Sequence, residues 1–248
     1  PIPQLNYAFV NDPLDELAYA TEAYINQKPE FLEALTGFEG ENRYDIFIGT
    51  PMGLKYLFRA KEYSSFCSRG CCTPSSRPLR IHISSMNEYY NSNISKVYLT
   101  INKPCACCAC CRPIMDVGHI DTGKFFGRIK APCTCCDPKV DIFNYLGQFR
   151  YIIPADCCQV GLCCSPTIQK LALIEFLIYC NGSIVGRLSK LPCNMAEMYT
   201  KADSYRIVFP QFATPEEKML LIVAGLMIDY QYFENDEDSG ITSEMNGY

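Results

Sequence analysis

The residues best equipped for chemistry in this sequence are its seventeen cysteines, and their spacing narrows what that chemistry is. They run as Cys67, Cys71 and Cys72; then Cys105, Cys107, Cys108, Cys110 and Cys111; then Cys133, Cys135 and Cys136; then Cys157, Cys158, Cys163 and Cys164; Cys180 and Cys193 stand alone. Neighbouring cysteines join each other only under strain, so the runs make a poor disulfide framework. They suit reduced thiols in a cytosol-like compartment, open to S-acylation or to a metal. Zinc is the metal to weigh, because Cys133, Cys135 and Cys136 with the 157–164 group offer enough thiolates for a tetrahedral site. No clean C-x-x-C pair recurs, however, and histidine gives no help.

The two histidines, His82 and His119, form no catalytic pattern. His82 alternates with Ile81 and Ile83, which puts it on a strand's outer face, and His119 follows Gly118 in a loop. No hydrolase or transferase motif and no phosphate-cradling glycine loop is present, so covalent catalysis is not expected. With 22 basic and 27 acidic residues the net charge is −5, which argues against a nucleic-acid binder with its dense cationic face. The bases are nonetheless concentrated: Lys55, Arg59, Lys61, Arg69, Arg77 and Arg80 stand against the single acid Glu62. Beside anionic lipid such a patch gains about 1 kcal/mol per base, so these six are candidate membrane-facing residues. From Asp229 onward the chain carries acids and no base, which reads as an acidic tail.

The elements that must position these groups are mostly strands. Period-two alternation puts Tyr44, Ile46 and Ile48 on one face, and likewise Leu79, Ile81 and Ile83; Val97, Leu99 and Ile101; and Tyr205, Ile207 and Phe209. Further strands are predicted over Lys55–Ala60, Lys124–Lys130, Val140–Phe143, Leu171–Tyr179 and Ser183–Leu188, separated by Gly, Pro, Asn and Asp as in an antiparallel sandwich or barrel. Residues 1–28 read as loop and a short amphipathic helix around Asp15–Ala23. Thr214-Pro215-Glu216-Glu217 supplies an N-cap, a first-turn proline and a capping-box glutamate. The helix that follows, to about Phe233, is apolar nearly all round as far as Asp229 and so must be buried in protein or lipid. Its apolar run from Met219 to Ile228 falls short of the roughly 20 residues needed to span a bilayer. Pro1 is not an initiator, so the start reads as processed or trimmed, and no signal peptide is visible.

At these segments the sequence resembles the phospholipid scramblases, relatives of the Tubby and LURP-one-related folds. The resemblance is carried, in order, by Phe31 to Glu39, Tyr44-Asp45-Ile46, Cys67, Arg69-Gly70-Cys71-Cys72 and Arg77-Pro78-Leu79-Arg80-Ile81. It continues through the 105–111 cysteines, the Pro154–Cys164 cluster, Gly186-Arg187-Leu188-Ser189-Lys190 and Met227 to Glu234. It implies a mainly β fold: a closed antiparallel Tubby-like barrel of about twelve strands around a buried hydrophobic C-terminal helix. The expected organisation is an N-terminal arm (1–28), the barrel domain (29–235, with its central helix over 214–233) and an acidic tail (236–248).

The resemblance also implies bidirectional, ATP-independent phospholipid movement or lipid binding, with Cys105, Cys107, Cys108, Cys110 and Cys111 in the position of the family's S-acylated run. Several acyl chains anchor far better than one. Calcium control is not expected. Where the family places acids at the first, third and last positions of a short segment, this chain has Lys201, Asp203 and Phe212. Calcium wants six to eight oxygens, and Asp203 is the one remaining carboxylate of that degenerate site. The basic nuclear-import stretch of some members is reduced to Arg187 and Lys190. The expected partner is a phospholipid membrane on its reducing side, either the cytosolic face of the plasma membrane or the mitochondrial inner membrane, and no cofactor is expected. The alternative is a non-transporting structural subunit of a larger membrane complex.

Overall fold

The architecture comes from a computed structural model, which describes residues 12–28, 41–65, 76–86, 97–106, 112–132, 139–155, 172–192 and 203–233. A short helix α1 (Pro13–Tyr19) precedes strands β1 (Glu22–Lys28), β2 (Arg43–Thr50), β3 (Gly53–Tyr63), β4 (Leu79–Ser85), β5 (Val97–Lys103) and β6 (Ile114–His119). Then come β7 (Phe125–Lys130), β8 (Lys139–Asn144), β9 (Phe149–Pro154), β10 (Ile174–Cys180), β11 (Ser183–Leu191), β12 (Ser204–Val208) and the helix α2 (Pro215–Tyr232). Each strand pairs antiparallel with the next, and β1 pairs with β12 through Ala23↔Ile207 and Ile25↔Tyr205, closing a twelve-stranded barrel. The loosest seam is β9 against β10, where Tyr179↔Ile152 is the one register pair. Register shifts at Ile46/Phe47, Ile83/Ser84, Val117/Gly118, Ile142/Phe143 and Ile178/Tyr179 mark bulges that add the local twist closure requires.

An antiparallel meander puts alternate connections at opposite ends. The β2–β3, β6–β7, β8–β9 and β10–β11 turns therefore lie at one end with the start of α2, here termed the hairpin rim. The last of these is Asn181-Gly182, where both residues have positive φ and give the tight turn that favours a hairpin. At the opposite end, the exit rim, α2 finishes. The strand ends joined by the segments carrying Cys67–Cys72, Cys105–Cys111, Cys133–Cys136 and Cys157–Cys164 all lie on the exit rim; most of these cysteines fall outside the described residues.

Alternation fills the interior. Tyr44, Ile46 and Ile48 of β2, Leu79, Ile81 and Ile83 of β4, Leu99 and Ile101 of β5, and Tyr205 and Ile207 of β12 are all buried, as their period-two spacing predicts. α2 fills the space they enclose and is buried on every side from Glu217 to Tyr230. Its start is fixed by the capping box anticipated from the sequence: Thr214 accepts from the Glu217 N–H while Glu217 accepts from the Thr214 N–H. Two glycines permit close approach. A Cβ on Gly127 would lie 2.3 Å from the Phe143 carbonyl oxygen and 2.8 Å from Leu220, and one on Gly225 would lie 3.0 Å from Ile25.

The N-terminal reading needs correction. α1 begins at Pro13, capped by the Asp12 carboxylate, which accepts from the Leu14 N–H, and the chain is already extended at Ala20. Ala23 thus belongs to β1, so the barrel's first strand comes from the stretch read as an arm. β1, β6 and β9 have no counterpart in the sequence-based strands; the side chains they bury are Ala23 and Ile25, Met115 and Val117, and Tyr151 and Ile153. His119, expected in a loop, ends β6. Its Nδ1 accepts from the Asp121 and Thr122 N–H groups at 3.1 and 3.2 Å, so it caps a turn.

Candidate functional site

Titratable side chains gather where α2 meets the exit rim. The inner face of β3 runs Phe58, Ala60, Glu62, so the pleat that buries two apolar residues carries a carboxylate into the barrel. Glu62 meets the Arg77 guanidinium at 3.1 Å, with both side chains fully buried. It also accepts from Tyr230 of α2 at 2.9 Å and from the Asn42 amide at 3.0 Å. Lys103, at the end of β5, donates to the Arg77 carbonyl oxygen at 2.7 Å. A buried charge left alone is strongly disfavoured, and this arrangement surrounds each with partners.

A second group lies beside it. Asp229 of α2 accepts from Tyr44 at 2.5 Å through one carboxylate oxygen and from Tyr205 through the other. Burial pushes its pKa up to about 6 and the neighbouring Asp203 charge adds to this, while the two tyrosine hydroxyls and Lys190 pull it back. Lys190 is itself held by Asp203 at 2.7 Å and lies 3.9 Å from the Phe233 ring. Glu62, Asp203 and Asp229 thus balance Arg77, Lys103 and Lys190, all six buried. This set has the chemistry of an ionic lock, tying the end of α2 to β2, β3 and β12.

At the start of α2 the solution differs. The Lys218 ammonium donates to the carbonyl oxygens of Leu17, Ala18 and Ala20, at 3.2, 2.7 and 2.8 Å. The Leu17 carbonyl also accepts the capping N–H of Ala20, and Ala18 and Ala20 lie at the end of α1, where carbonyls run out of helical donors. Burial lowers the Lys218 pKa. Glu217 accepts from Tyr151 at 2.9 Å and pairs with Arg150; burial first, then that carboxylate's charge, raises the Tyr151 pKa.

The residues singled out from sequence fare unequally. Arg77, expected to face a membrane, is fully buried against Glu62, because its carboxylate partner lies inside the barrel. Lys55, Arg59 and Lys61 do lie on the outside of β3, but each meets an acid: Glu16 at 2.5 Å, Asp45 at 3.0 Å and Glu41 at 3.6 Å. Burial alone would raise the Asp45 pKa, yet hydrogen bonds from Tyr56 and Arg59 hold it below the usual range. Arg80 donates to Asn102 at 3.1 Å. The patch that looks bare in sequence is therefore largely neutralised by acids distant in the chain. Asp203 is engaged by Lys190, and among the described residues no group of His, Cys, Asp and Glu is arranged to hold a metal.

Cys105 is exposed at the exit rim. Cys107, Cys108, Cys110 and Cys111, Arg69, and the 133–136 and 157–164 thiols weighed for zinc lie outside the described residues. Sequence reasoning missed Glu62, Lys190, Lys218 and Asp229 as buried charges. Two signals pointed to the carboxylates among them: Glu62 continues an apolar period-two face, and Tyr44 and Tyr205, whose partner is Asp229, sit on core faces where a hydroxyl needs one.

Comparison with known proteins supplies what this geometry does not. The family model described as Scramblase matches residues 2–235. Phospholipid scramblase 1 of Mus musculus is 29% identical over 227 residues, covering 89% of this chain and 63% of the mouse protein. Phospholipid scramblase 1 of Homo sapiens is 28% identical over 236 residues, covering 92% and 69% of the two chains. Phospholipid scramblase 2 of Bos taurus is 27% identical over 238 residues, covering 94% and 74%. The chain thus spans less than two thirds of the mouse relative's length. No solved structure gives a significant match. Among the described residues no helix is long and apolar enough to cross a membrane, which leaves open crossing by strands. The family match takes in the whole meander and the helix inside it, and by that measure the chain belongs to the scramblase family.

Proposed function

We propose that this chain is a membrane-associated, scramblase-like protein that binds phospholipid and moves it in both directions between leaflets, without ATP and without calcium control. The observation that carries the reading is the family match across residues 2–235, joined by relatives named phospholipid scramblases. Calcium independence is argued from the residues themselves. Lys201 and Phe212 stand where acids are needed, and Asp203 is committed to Lys190 at 2.7 Å. Attachment is proposed through S-acylation of Cys105, Cys107, Cys108, Cys110 and Cys111 on the reducing side of the plasma membrane or the mitochondrial inner membrane.

The test is reconstitution of the purified chain into vesicles carrying a fluorescent phospholipid on both leaflets, followed by an impermeant reductant. Label on the inner leaflet should become accessible without ATP and equally with calcium or with a chelator. Bleaching confined to the outer leaflet under every condition would refute transport.

One observation favours a second reading. α2 occupies the barrel interior along its length, which leaves no lipid-sized route through it. A barrel kept for shape, docked as a structural subunit on a larger membrane complex, would copurify with that complex in fixed stoichiometry and move no lipid.

A further inference from the structure

We infer that the barrel carries a lateral gate between β9 and β10, where its wall parts while the other pairings stay closed and α2 stays seated. The ladder is shortest at this seam. Tyr179↔Ile152 is its one register pair, whereas β8 and β9 share five, β10 and β11 seven, and the closing strands β1 and β12 five. The sequence supplies the reason. Pro154 ends β9 and has no N–H to give, and the bulge at Ile178/Tyr179 puts the backbone of β10 out of step where the two strands meet. An antiparallel ladder averages about one bond per pair, each worth about fivefold. One pair against five therefore favours parting here over parting at β8–β9 by roughly 500-fold.

Side chains do not close what the backbone leaves open. Tyr151, Ile153, Phe176 and Ile178 are buried inside the barrel, so the pleat turns Ile152 and Tyr179 outward, and these two form no ion pair. Elsewhere the same outer face is clasped by ion pairs: Arg59 with Asp45 across β3–β2 at 3.0 Å, Arg187 with Glu175 across β11–β10 at 2.9 Å, and Arg206 with Glu22 across β12–β1 at 2.6 Å. Each bank of the seam has its own anchor. β9 is held to α2, since Arg150 and Tyr151 both meet Glu217, and β10 is held to β11 by its long ladder and by Arg187. Parting breaks neither anchor.

The helix leaves the seam free to move. α2 runs closest to β7, β8, β12 and β1, so its backbone braces the walls on either side of β9–β10. No tight turn ties the two strands either: β9 ends at Pro154 and β10 begins at Ile174. Behind the seam Phe176 lies edge-on to Phe233 at 6.4 Å, and parting opens this aromatic layer to the outside.

The chain contains no tryptophan, so a single tryptophan reports one place. Phe176→Trp sits behind the seam. Phe58→Trp is the control, on β3, whose two pairings hold eight and six register pairs. Both positions are buried, and both variants are titrated with acrylamide in the absence of lipid. Quenching of Phe176→Trp should be several-fold steeper. A disulfide between Ile152→Cys and Tyr179→Cys, directly opposed across the seam, should lower it to the control level, and reduction should restore it. A disulfide between His82→Cys and Thr100→Cys, opposed on β4–β5, should leave it unchanged.

Equal quenching of the two tryptophans would overturn the inference. So would steep quenching that the seam disulfide does not lower, because access would then come from an end of the barrel. Should Phe176→Trp fail to fold, native-state hydrogen exchange on the unsubstituted chain decides. Amides of β9 and β10 should exchange by a local opening insensitive to mild denaturant, and those of β2 to β4 through global unfolding. Protection in β9 and β10 that yields only to global unfolding would mean that the seam stays shut.

Discussion

At the hairpin rim the buried ammonium of Lys218 is met by three backbone carbonyls, whereas at the exit rim Arg77 and Lys190 are met by the carboxylates of Glu62 and Asp203. Carbonyl dipoles hold a cation without a counter-charge and do not titrate. Carboxylate partners hold it more strongly but make each member depend on the other's presence and protonation. The outward faces differ as well: the described turns of the first end carry exposed apolar side chains, while the strand ends at the second are joined by the cysteine-bearing segments. One barrel thus holds a buried cation by backbone carbonyls at one end and by carboxylates at the other. Substitutions at the two ends should behave differently.

The largest effect should come from breaking a matched pair. Arg77→Met leaves the Glu62 carboxylate fully buried with only hydroxyl and amide donors, and loss of one member of a buried pair costs about 3–5 kcal/mol. Denaturant titration at neutral pH should show the midpoint falling steeply. Adding Glu62→Gln to that variant should restore part of the loss, since the carboxylate that lost its guanidinium is then neutral. A midpoint unchanged in Arg77→Met would mean that Glu62 is hydrated, and the contrast between the ends would collapse.

The next effect is a pH dependence. Asp229 in the folded chain holds its proton up to about pH 6, above the usual carboxylate value near 4 in an unfolded chain. A folded-state pKa raised in this way favours folding at low pH, and that contribution is lost as pH rises from about 4 through 6. Asp229→Asn cannot ionise, and its amide still meets Tyr44 and Tyr205. Relative to the parent it should therefore gain stability over that window, by up to about 3 kcal/mol. Parallel stability–pH curves for the two proteins would show that Asp229 is solvated or already matched by Lys190.

Lys218→Met tests the other end. It removes three hydrogen bonds to the carbonyls at the end of α1, which the sealed packing leaves no easy way to hydrate. The cost should be about 1–3 kcal/mol. Across pH 4 to 7 the loss should be constant, because no carboxylate partner titrates with it. A loss that varied with pH as strongly as that at Asp229 would erase the distinction.

Much of this molecule is legible in its sequence, but the legible and illegible parts have different physical origins. Strands such as β2 and β4 declare themselves because three apolar residues alternate on one face, and α2 because Thr214, Pro215 and Glu217 mark its start. β1 and β6 do not, since polar or small residues (Asn26 and Gln27; Asp116 and Gly118) break up their short apolar faces. The ion pairs are the least legible. Glu62 and Arg77 are separated by a connection between β3 and β4, Lys55 and Glu16 by two strands, and Lys218 and the α1 carbonyls by the whole barrel. A stretch counted as basic along the chain became mostly neutral in space because α1 and the pairing of β2 with β3 bring Glu16, Glu41 and Asp45 to its lysines and arginine. The cysteine runs are the reverse case: their clustering is plain in sequence, and the topology adds that the strand ends they join share one rim.

The smallest expected effect on stability is at the hairpin tips, and its smallness is what separates a contact surface from a structural one. Met52 is fully exposed, and Leu146 and Ile184 are 62% and 59% exposed. Changing any of them to Ser removes little packing, and surface substitutions of this kind usually stay within about 0.5 kcal/mol. The turns themselves do not depend on these side chains. The β8–β9 turn is set by the Asn144 side chain and by Gly147 at positive φ, and the β10–β11 turn by Asn181 and Gly182. Each single variant should therefore melt with the parent in detergent-free buffer. Should Leu146→Ser instead destabilise the protein by as much as Lys218→Met, the tip would be packed against something within the fold. The apolar tips would then be part of the barrel's packing rather than of its outer surface.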